Sequence, residues 1–442
     1  MKVVDVWNNF TLHQESGSPC ENQRLMTKYS CCRSRLRTGS LNTRRHRRMG
    51  TANDNRQQRR VACVYHFYAH YREAVLEELT RSSQHDWTFF GSPESVVPSI
   101  KKWTPSEQVK FRALRTYCFG PLLFQFGLLK IALSREFQDL VLLGNSSWPT
   151  TWIAAILGRL SGKRVYFWTH GWIHKESGLK GAFRNTFYRL AHGLLLYGHV
   201  AKSIGIASGF PDGKLHVIYN SLDYESQRRA RSEIVEEDLT ALRQELFPDS
   251  NAPVAVCVTR LTEVRRLDQL IEALKVLKDQ GNEWNLLLVG DGPEKERLQQ
   301  ISKSLGIQTC FYGACYDNDK LAELVAASNV TIAPGKVGLS AMTSLAYGTP
   351  VITHNDADNQ MPEWESIIDG FNGGLFERNN IDDLADKIQQ WSNLPSSREE
   401  LTHDCQAVLD RFYNPKFQVK CIDRAISGND AHDLFWLLPK EQ

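Results

Sequence analysis

The stretch "APGKVGLSAMTSLAYGTPVIT", residues 333–353, contains every part of one strand–helix unit of an α/β fold. Gly335 and Gly338 precede a segment whose apolar residues have helical spacing, and Gly348 and Pro350 separate that segment from the β-branched run "VIT". This pattern predicts a loop, a helix, a turn and a buried strand. The stretch contains no Asp or Glu, so its side chains offer no charged hydrogen-bond acceptor.

The same alternation extends over most of the chain. In the first half, "RRVACVYHF", "FQDLVLLGN" and "KRVYFWTHG" are predicted strands, and helical segments lie between them. The pattern restarts at "APVAVCVTRL" and continues through "WNLLLVGDGP" and "NVTIAPG" to "PVITH". Strands that alternate with helices across short turns predict doubly wound parallel sheets. We therefore expect two Rossmann-like α/β domains that face a cleft at the carboxyl ends of their strands, where ligands bind in such folds.

Length and sequence breaks define the predicted segments. The 442 residues are too many for one ordinary domain and suit two. The charged helical segment "SQRRARSEIVEEDLTALRQELF" separates the two series of strands and is followed by Pro248 and Pro253. We predict a disordered Arg-rich extension at residues 1–60, a first Rossmann-like domain at 61–230, an interdomain linker at 231–252, a second Rossmann-like domain at 253–405 and C-terminal helices at 406–442.

Composition indicates a globular protein. Apolar residues make up 42% of the chain and charged residues 23%, which is typical of soluble domains. The ten cysteines form no C-x-x-C motif and no paired metal-ligand spacing. We therefore predict reduced, partly buried thiols in a cytosolic protein, with a zinc or disulfide framework as the disfavoured alternative.

Positive charge is concentrated at the start of the chain. Residues 1–60 hold 13 Lys and Arg against 4 Asp and Glu, a balance of +9, whereas residues 61–442 hold 40 against 46, a balance of −6. The early stretch lacks apolar periodicity, which favours an unstructured extension, and Met49 is an alternative start. An arm that binds nucleic acid or an anionic membrane is the other interpretation. The negative balance of the remaining chain argues against a nucleic-acid partner.

One segment interrupts the alternation. Residues 118–133, "CFGPLLFQFGLLKIAL", are almost entirely apolar. They are too few for a transmembrane helix, which needs about 20 residues. The favoured prediction is a core helix, and a lipid-facing helix of a peripheral enzyme is the alternative.

The second half carries most of the candidate site residues. In "VTRLTEVRRLDQL", Arg260 ends a predicted strand and Arg265 lies just before a helix. Arginines in such positions can bind a diphosphate at the cleft, although solvated surface charge is the simpler interpretation for arginines in a loop. In "LLLVGDGPEKERL", Gly290 marks a tight turn between a strand and a helix, which by itself is weak evidence of a ligand site.

The order of these motifs resembles a known family. The series "RL", "LIEAL", "LLLVGDGP", "FYG", "LAELVAASNVTIAPG", "GLSAMTSLAYGTPVIT" and "DGFNGGLF" resembles the donor-binding half of retaining glycosyltransferases of family 4, over roughly residues 254–391. The first half, through "FWTHGW" and "VIYNSLD", looks like the acceptor half of the same two-domain GT-B fold. The segment "CQAVLDRFYNPKFQVKCIDRAI" resembles the terminal helices that cross back onto the first domain.

The chain departs from this family at its most specific motif. Family members usually carry two glutamates separated by seven residues, and these positions fall on Gly335 and Thr343. The resemblance implies that the first glutamate contacts the donor sugar and the second contacts the ribose. Thr343 offers only a weaker, uncharged acceptor. The predicted site also includes two groups of residues: the phosphate-binding start of the helix (Gly338, Leu339, Ser340) and the candidate replacement acids (Glu363, Glu365).

The resemblance also implies a site in the first half. His170 in "FWTHGW" corresponds to a family histidine near the reacting centre of the donor, although a lone histidine is more often structural. Arg72 or His70 in the first strand-to-helix loop are weaker candidates for contact with acceptor or phosphate. The implied chemistry is transfer with retention, in which Arg260, Arg265 and the helix start near residue 338 stabilise the leaving diphosphate. We predict no metal and no cofactor, because no D-x-D-like motif directly ends a strand.

Three functions compete at this stage. The first is an active, hexosyltransferase-like enzyme that transfers sugar from a nucleotide-diphosphate sugar to a glycan or lipid-linked acceptor in the synthesis of a surface polysaccharide or glycolipid. This enzyme would lie in the cytoplasm. A more specific form of the hypothesis places it at the inner face of the plasma membrane, in peripheral contact with the bilayer. The second is an inactive GT-B protein that binds nucleotide sugars, which the missing glutamates permit. The third, a nucleic-acid-associated protein, rests only on the Arg-rich start.

Overall fold

The computed structural model describes residues 58–97, 100–249, 251–392 and 397–429. The predicted disordered extension at residues 1–60 therefore lies outside the described residues except for its last three positions, and so does the end of the predicted C-terminal segment. Within the described ranges, no helix combines the length and the apolar character needed to cross a bilayer.

The first domain is built on a seven-stranded sheet whose strands all run parallel. Its strands are β1 (Arg60–Phe67), β2 (Asp86–Ser92), β3 (Phe111–Ala113), β6 (Asp139–Leu143), β7 (Arg164–Thr169), β8 (Gly193–Leu196) and β9 (Leu215–Val217). Their spatial order is β3-β2-β1-β6-β7-β8-β9, so the direction of winding reverses between β1 and β6. Central strands such as β1 are continuous buried apolar runs because helices cover both faces of the sheet.

Two layers of helices cover this sheet. The helices of the first domain are α1 (Glu73–Ser82), α2 (Leu128–Leu133), α3 (Pro149–Leu160), α4 (Gly178–Arg189) and α5 (His199–Ala207). Helices α2, α3, α4 and α5 share one apolar core with one face of the sheet, and α1 packs on the other face. The sides of α2, α3 and α4 that do not contact this core therefore form the outer surface of one helical layer.

The charged segment between the two series of strands contains two helices, α6 (Tyr224–Ser232) and α7 (Glu236–Leu246), of which only α7 lies wholly within the predicted linker at 231–252. The Asp223 carboxylate caps α6 by accepting a hydrogen bond from the N–H of Ser226, and three acidic residues lie in the first turn of α7. Both features stabilise helix starts, because acceptors and negative charge satisfy the free N–H groups there. Leu239 and Leu242 anchor α7 against the apolar core of the second domain.

The second domain repeats the architecture with a six-stranded parallel sheet. Its strands are β10 (Val254–Val258), β11 (Asn285–Val289), β12 (Thr309–Gly313), β13 (Val330–Ala333), β14 (Val351–His354) and β15 (Gly373–Phe376). The spatial order is β12-β11-β10-β13-β14-β15, which places the reversal of winding between β10 and β13. Its helices are α8 (Leu267–Asp279), α9 (Lys295–Leu305), α10 (Asn318–Ala326), α11 (Leu339–Ala346) and α12 (Ile381–Ser392).

The chain returns to the first domain through its last two described helices, α13 (Arg398–Arg411) and α14 (Pro415–Ile426). A capping box at Ser397 and Glu400 starts α13. Helix α14 then packs beside α1, where the Asp423 carboxylate accepts hydrogen bonds from the Ser83 hydroxyl at 2.5 Å and the Gln84 N–H at 2.9 Å. Helix α14 thus crosses back onto the first domain, as the family resemblance implies. The boundaries given above for the domains, the linker and the C-terminal helices stay predictions.

The prediction of a single helix over residues 118–133 was wrong. The chain forms an antiparallel hairpin, β4 (Arg115–Phe119) and β5 (Leu122–Phe126), before the short helix α2 begins. Gly120 takes a positive φ of 58° at the turn, and Pro121 follows it. A left-handed turn residue followed by proline favours a reversal of the chain over a continuous helix. Apolar content alone did not show this, because the run is apolar on both of its alternating faces.

Candidate functional site

A small pocket lies at the carboxyl edge of the second sheet, at the reversal of winding between β10 and β13. Open α/β folds bind ligands at this point, because the helices on either side diverge there. The residues that line it come from these two strands, the loops that follow them and the start of α11: Cys257, Val258, Thr259, Arg265, Thr331, Ala333, Gly335, Lys336 and Ser340. The pocket thus brings together the predicted site residues Arg265 and Ser340.

Arg265 is the main charged group of this pocket. Its side chain is half-buried, and Nη1 donates a hydrogen bond to the carbonyl oxygen of Lys336. Burial lowers the pKa of Arg265 below its usual value, but an arginine with this pKa direction still carries its charge at neutral pH. Its buried Nε has no hydrogen-bond partner within the part of the chain that the structure describes. A buried donor of this kind normally binds a partner, which a ligand can supply.

Lys336 adds a second cation that the sequence analysis did not select. It follows Gly335 in the loop after β13, and burial lowers its pKa, with further lowering by the charges of Arg378 and Arg265. A lysine whose pKa is lowered by neighbouring positive charges lies in a site that favours an anion. The sequence does contain a signal for this cation. Family members usually carry a negative charge at position 335, whereas this chain carries a positive charge at the next position, Lys336.

The structure explains why position 335 carries glycine. A side chain on Gly335 would overlap the carbonyl oxygen of Val264 and the backbone of Arg265, and the Gly335 N–H donates to the Arg265 carbonyl oxygen at 3.0 Å. The loop that holds Arg265 therefore occupies the space that a longer side chain would need. Thr343 is buried on α11, and its hydroxyl accepts a 3.5 Å hydrogen bond from Gln227 of α6.

The start of α11 forms the opposite wall of the pocket. Gly338 is the N-cap residue, and Leu339 and Ser340 are the first two helical residues. The first N–H groups of a helix have no partner inside the helix, so they can bind an anion together with the positive end of the helix dipole. The N–H of Val337, just before the helix, donates a hydrogen bond to the Gln360 side-chain oxygen at 2.9 Å, so this N–H already has a partner.

Arg260 and Gly290 lie on the neighbouring strand ends. Arg260 is exposed after β10, outside the residues that line the pocket. Gly290 follows β11 with a φ of 149°, and a side chain there would overlap the carbonyl oxygen of Thr259. The turns after β10 and β11 are therefore packed backbone against backbone, which gives the "GDG" motif a structural role.

His170 belongs to a different cluster at the carboxyl edge of the first sheet. Its ring packs edge-on against Tyr197, with centroids 4.9 Å apart. Arg72, which the sequence analysis named as a weaker candidate, is central here: its guanidinium lies 5.1 Å from the Tyr65 ring centroid and 5.4 Å from that of Trp168. Burial, with the charge of Arg72, lowers the pKa of His170 to about 4, so the imidazole is neutral at pH 7.

Glu363 and Glu365 connect the two domains. Both lie in the short 3-10 helix Pro362–Ser366 after β14. The Glu363 carboxylate is buried and accepts a 2.7 Å hydrogen bond from the Asn220 side chain of the first domain. Burial raises the pKa of Glu363, while the Asn220 hydrogen bond and the charge of Arg72 oppose the rise. Arg72 therefore acts electrostatically on both His170 and Glu363.

Part of the chain is similar to known proteins. Residues 238–406, which contain the pocket, match the family model for glycosyl transferases group 1. A GDP-mannose-dependent alpha-(1-6)-phosphatidylinositol dimannoside mannosyltransferase of Mycobacterium tuberculosis is 38% identical over 96 residues, 21% of this chain and 25% of that protein. The putative glycosyltransferase EpsD of Bacillus subtilis is 27% identical over 146 residues, 33% of this chain and 37% of that protein.

The match to this family model covers residues 238–406, in the second half of the chain. The chain spans only 25% and 37% of the length of these two curated relatives.

Solved structures show the fold of the whole described body. Anabaena Alr3699/HepE, solved in complex with UDP, superposes with a TM-score of 0.63 at 16% identity, covering 84% of this chain and 100% of that one. The lipopolysaccharide outer core galactosyltransferase WaaB, in its apo form, superposes with a TM-score of 0.62 at 15% sequence identity. This match covers 83% of this chain and 99% of that one. The chain has the GT-B fold.

Proposed function

We propose that the protein is a glycosyltransferase that moves a sugar from a nucleotide-diphosphate sugar to a glycan or lipid-linked acceptor, with retention at the anomeric carbon. The observation that carries this proposal is the cationic pocket at the reversal of winding in the second sheet, within the segment that matches glycosyl transferases group 1. We propose that it acts from the cytoplasm on a surface polysaccharide or glycolipid. The retaining outcome rests on the family resemblance.

The charges of the pocket suit a leaving diphosphate. When the bond between the sugar and the diphosphate breaks, negative charge grows on the diphosphate and positive charge grows on the sugar ring. Arg265, Lys336 and the N-terminus of α11 present three positive features to one small space, and they need no rearrangement when the charge develops. Exposed Arg260 is proposed to bind the outer side of the same diphosphate. This set provides charge stabilisation without a metal ion.

The neutral His170 suits the other end of the donor. An uncharged imidazole does not repel a sugar ring that gains positive charge, and one of its nitrogens can accept a hydrogen bond. We propose that His170 contacts the sugar, and that burial, together with the charge of Arg72, keeps its imidazole neutral at working pH.

Sugar and ribose recognition must differ from the family pattern, because position 335 has no room for an acid. We propose that Glu363 and Glu365 supply the acceptors. Both carboxylates are bound across the domain boundary in this structure, so either one would exchange its present partner for a hydroxyl when the donor binds.

The second candidate function is an inactive GT-B protein that binds nucleotide sugars without transfer. It is favoured by one observation: the two positions that carry glutamates in the family hold Gly335 and Thr343, and Thr343 is buried against α6.

A donor screen separates the two candidates. The full chain is first titrated calorimetrically with UDP and GDP and with their common sugar conjugates. Each donor that binds is then incubated with glycan and lipid-linked acceptors, with and without EDTA, and sugar transfer and donor hydrolysis are measured. We expect binding of one donor class, turnover that EDTA does not change, and an α-linked product from an α-linked donor by NMR. Binding without turnover across all acceptors would support the inactive alternative, and failure of every nucleotide to bind would refute both.

A further inference from the structure

The hairpin of β4 and β5 has an inverted pattern of polarity. Its cross-strand pairs place Tyr117, Phe119, Leu122 and Phe126 on one side, and this side faces solvent. Phe119 is 66% exposed and Phe126 is 63% exposed. The opposite side faces the domain and contains buried Gln125, whose amide donates to the Tyr65 carbonyl oxygen at 2.8 Å. A hairpin on a soluble surface normally has the reverse arrangement, because burial of apolar groups stabilises the fold.

The neighbouring helices continue this apolar surface. Ile153, Ile156 and Leu160 of α3 are exposed, and their spacing of three and four residues places them on one side of the helix. Leu179 and Phe183 of α4, four residues apart, are also exposed, and Leu179 is 91% exposed. Within the described residues, ten of the sixteen exposed large hydrophobic side chains lie in β4, β5, α2, α3 and α4.

These side chains point in a common direction. Helices α2, α3 and α4 share a core on one face of the first sheet, so their exposed residues lie on the outer surface of one layer. The hairpin is attached to the same layer, because the N–H of Gln125 donates to the Thr150 hydroxyl at the start of α3. We call this surface, formed by residues 115–133, 149–160 and 178–189, the hairpin–helix face. Large contiguous apolar patches on a protein surface mark sites of interaction with proteins or membranes.

The charge of the hairpin–helix face is one-sided. Residues 115–133, 149–160 and 178–189 contain no Asp or Glu, whereas residues 61–442 as a whole have an excess of acids. The same three segments contain six basic residues, five of them exposed and the last one partly exposed: Arg115, Lys130, Arg159, Lys180, Arg189 and Arg184. Lys180 and Arg184 of α4 form ion pairs with the neighbouring Glu176 carboxylate, at 3.4 Å and 3.0 Å, so the positive charge of this face rests on Arg115, Lys130, Arg159 and Arg189. A surface that combines exposed aromatic rings with an excess of basic side chains matches an anionic bilayer.

We propose that the hairpin–helix face docks the protein on a membrane of anionic phospholipid. The aromatic residues of the hairpin enter the boundary between head groups and acyl chains, and the basic residues of α2, α3 and α4 contact the head groups. This surface lies on the first domain, outside the pocket of the second sheet. The inference therefore does not depend on the proposed transfer reaction.

Vesicle flotation tests the proposal with the full chain and no nucleotide sugar. Vesicles of phosphatidylcholine alone are compared with vesicles that also contain phosphatidylglycerol, whose anionic head groups give the bilayer a negative surface potential. We expect the protein to float with the anionic vesicles, with roughly tenfold less bound on neutral vesicles or at high salt. The double variant Phe119→Ser and Phe126→Ser should reduce binding by a similar factor at an unchanged melting temperature, since both positions are exposed.

Tyr316→Ser is the matched control, because Tyr316 is 91% exposed on the second domain. It should float like the parent protein. Equal binding by the hairpin variant and the parent, equal binding to both kinds of vesicle, or no binding at all would overturn the proposal. A dimer that the hairpin variant dissociates, in the absence of vesicle binding, would overturn it in favour of a second copy of the chain as the occupant of this face.

Discussion

The Glu365 carboxylate of the second domain caps the helix that begins at His199 in the first domain. One carboxylate oxygen accepts a hydrogen bond from the His199 N–H at 2.7 Å, and the other accepts from the Val200 N–H at 2.9 Å. A negative charge at the start of a helix satisfies free N–H groups and interacts favourably with the helix dipole. Glu365 therefore links the two domains by hydrogen bonds in this structure. A donor that binds to the Glu365 carboxylate must displace these hydrogen bonds.

We predict that Glu365→Gln lowers the free energy of unfolding by about 1–2 kcal/mol, because the charge at the start of α5 is lost while the shape is kept. Urea unfolding measures the change, with Glu272→Gln on the exposed side of α8 as the control. A variant of parental stability that binds donor more weakly would contradict the capping role and would favour the proposed contact with sugar or ribose.

Arg265→Ala should weaken binding of the nucleoside diphosphate found in the donor screen. The loss of a charge-assisted hydrogen bond is worth about 1.5–3 kcal/mol, which corresponds to roughly a 10- to 150-fold rise in Kd. Calorimetry measures the change. Arg297→Ala is the control, since Arg297 lies on the surface of α9 in ion pairs with Asp268 and Glu294. Equal affinity for the Arg265 variant and the parent would remove Arg265 from the phosphate site.

Gly335→Glu should not restore a typical family site. The new side chain would overlap the Val264 carbonyl oxygen, so we expect a destabilised protein that binds donor no better than the parent. Overpacking of this kind typically costs about 1–3 kcal/mol. Gly338→Ala is the matched comparison, because a Cβ at Gly338 meets open space and should leave the melting temperature nearly unchanged. Tighter donor binding by a stable Gly335→Glu variant would show that the loop at Arg265 moves aside.

His170 should make stability depend on pH in the acid range. Its pKa is about 4 in the folded protein and about 6.5 when unfolded, so below pH 6.5 the unfolded chain binds a proton that the folded protein does not. The contribution of neutral His170 is fully present above pH 6.5 and decreases as the pH falls toward 4. Between pH 6.5 and 5 the titration of this group lowers the free energy of unfolding by about 1.5 kcal/mol.

His170→Gln tests this assignment, because glutamine keeps a polar side chain but does not titrate. Unfolding by urea at pH 7.0, 6.0 and 5.0 should give a flatter pH dependence for the variant than for the parent. Parallel curves for the two proteins would show that His170 is already charged at neutral pH, or that other groups control the acid stability.

Local sequence patterns predicted the units of the fold. Apolar runs such as "RVACVYHF" and "NLLLV" identify buried parallel strands without tertiary information, because a strand covered on both faces must be apolar at every position. Glycines at strand ends, such as Gly290, indicated tight turns because the backbones approach closely there. The positions of Arg265 and Ser340 at one edge followed from the rule that parallel strands end at a common edge.

Tertiary structure alone decided the rest. The space at Gly335 is filled by residues 264 and 265, about 70 positions earlier in the chain, so the sequence could show that the glutamate is missing but not why. Glu365 has its hydrogen-bond partners 166 and 165 positions away, and their bonding depends on how two domains meet. The outward side of the hairpin was also hidden, because an apolar run has the same composition whether it packs inside or faces outward. Periodicity describes one element at a time, whereas these features depend on contacts between elements distant in sequence.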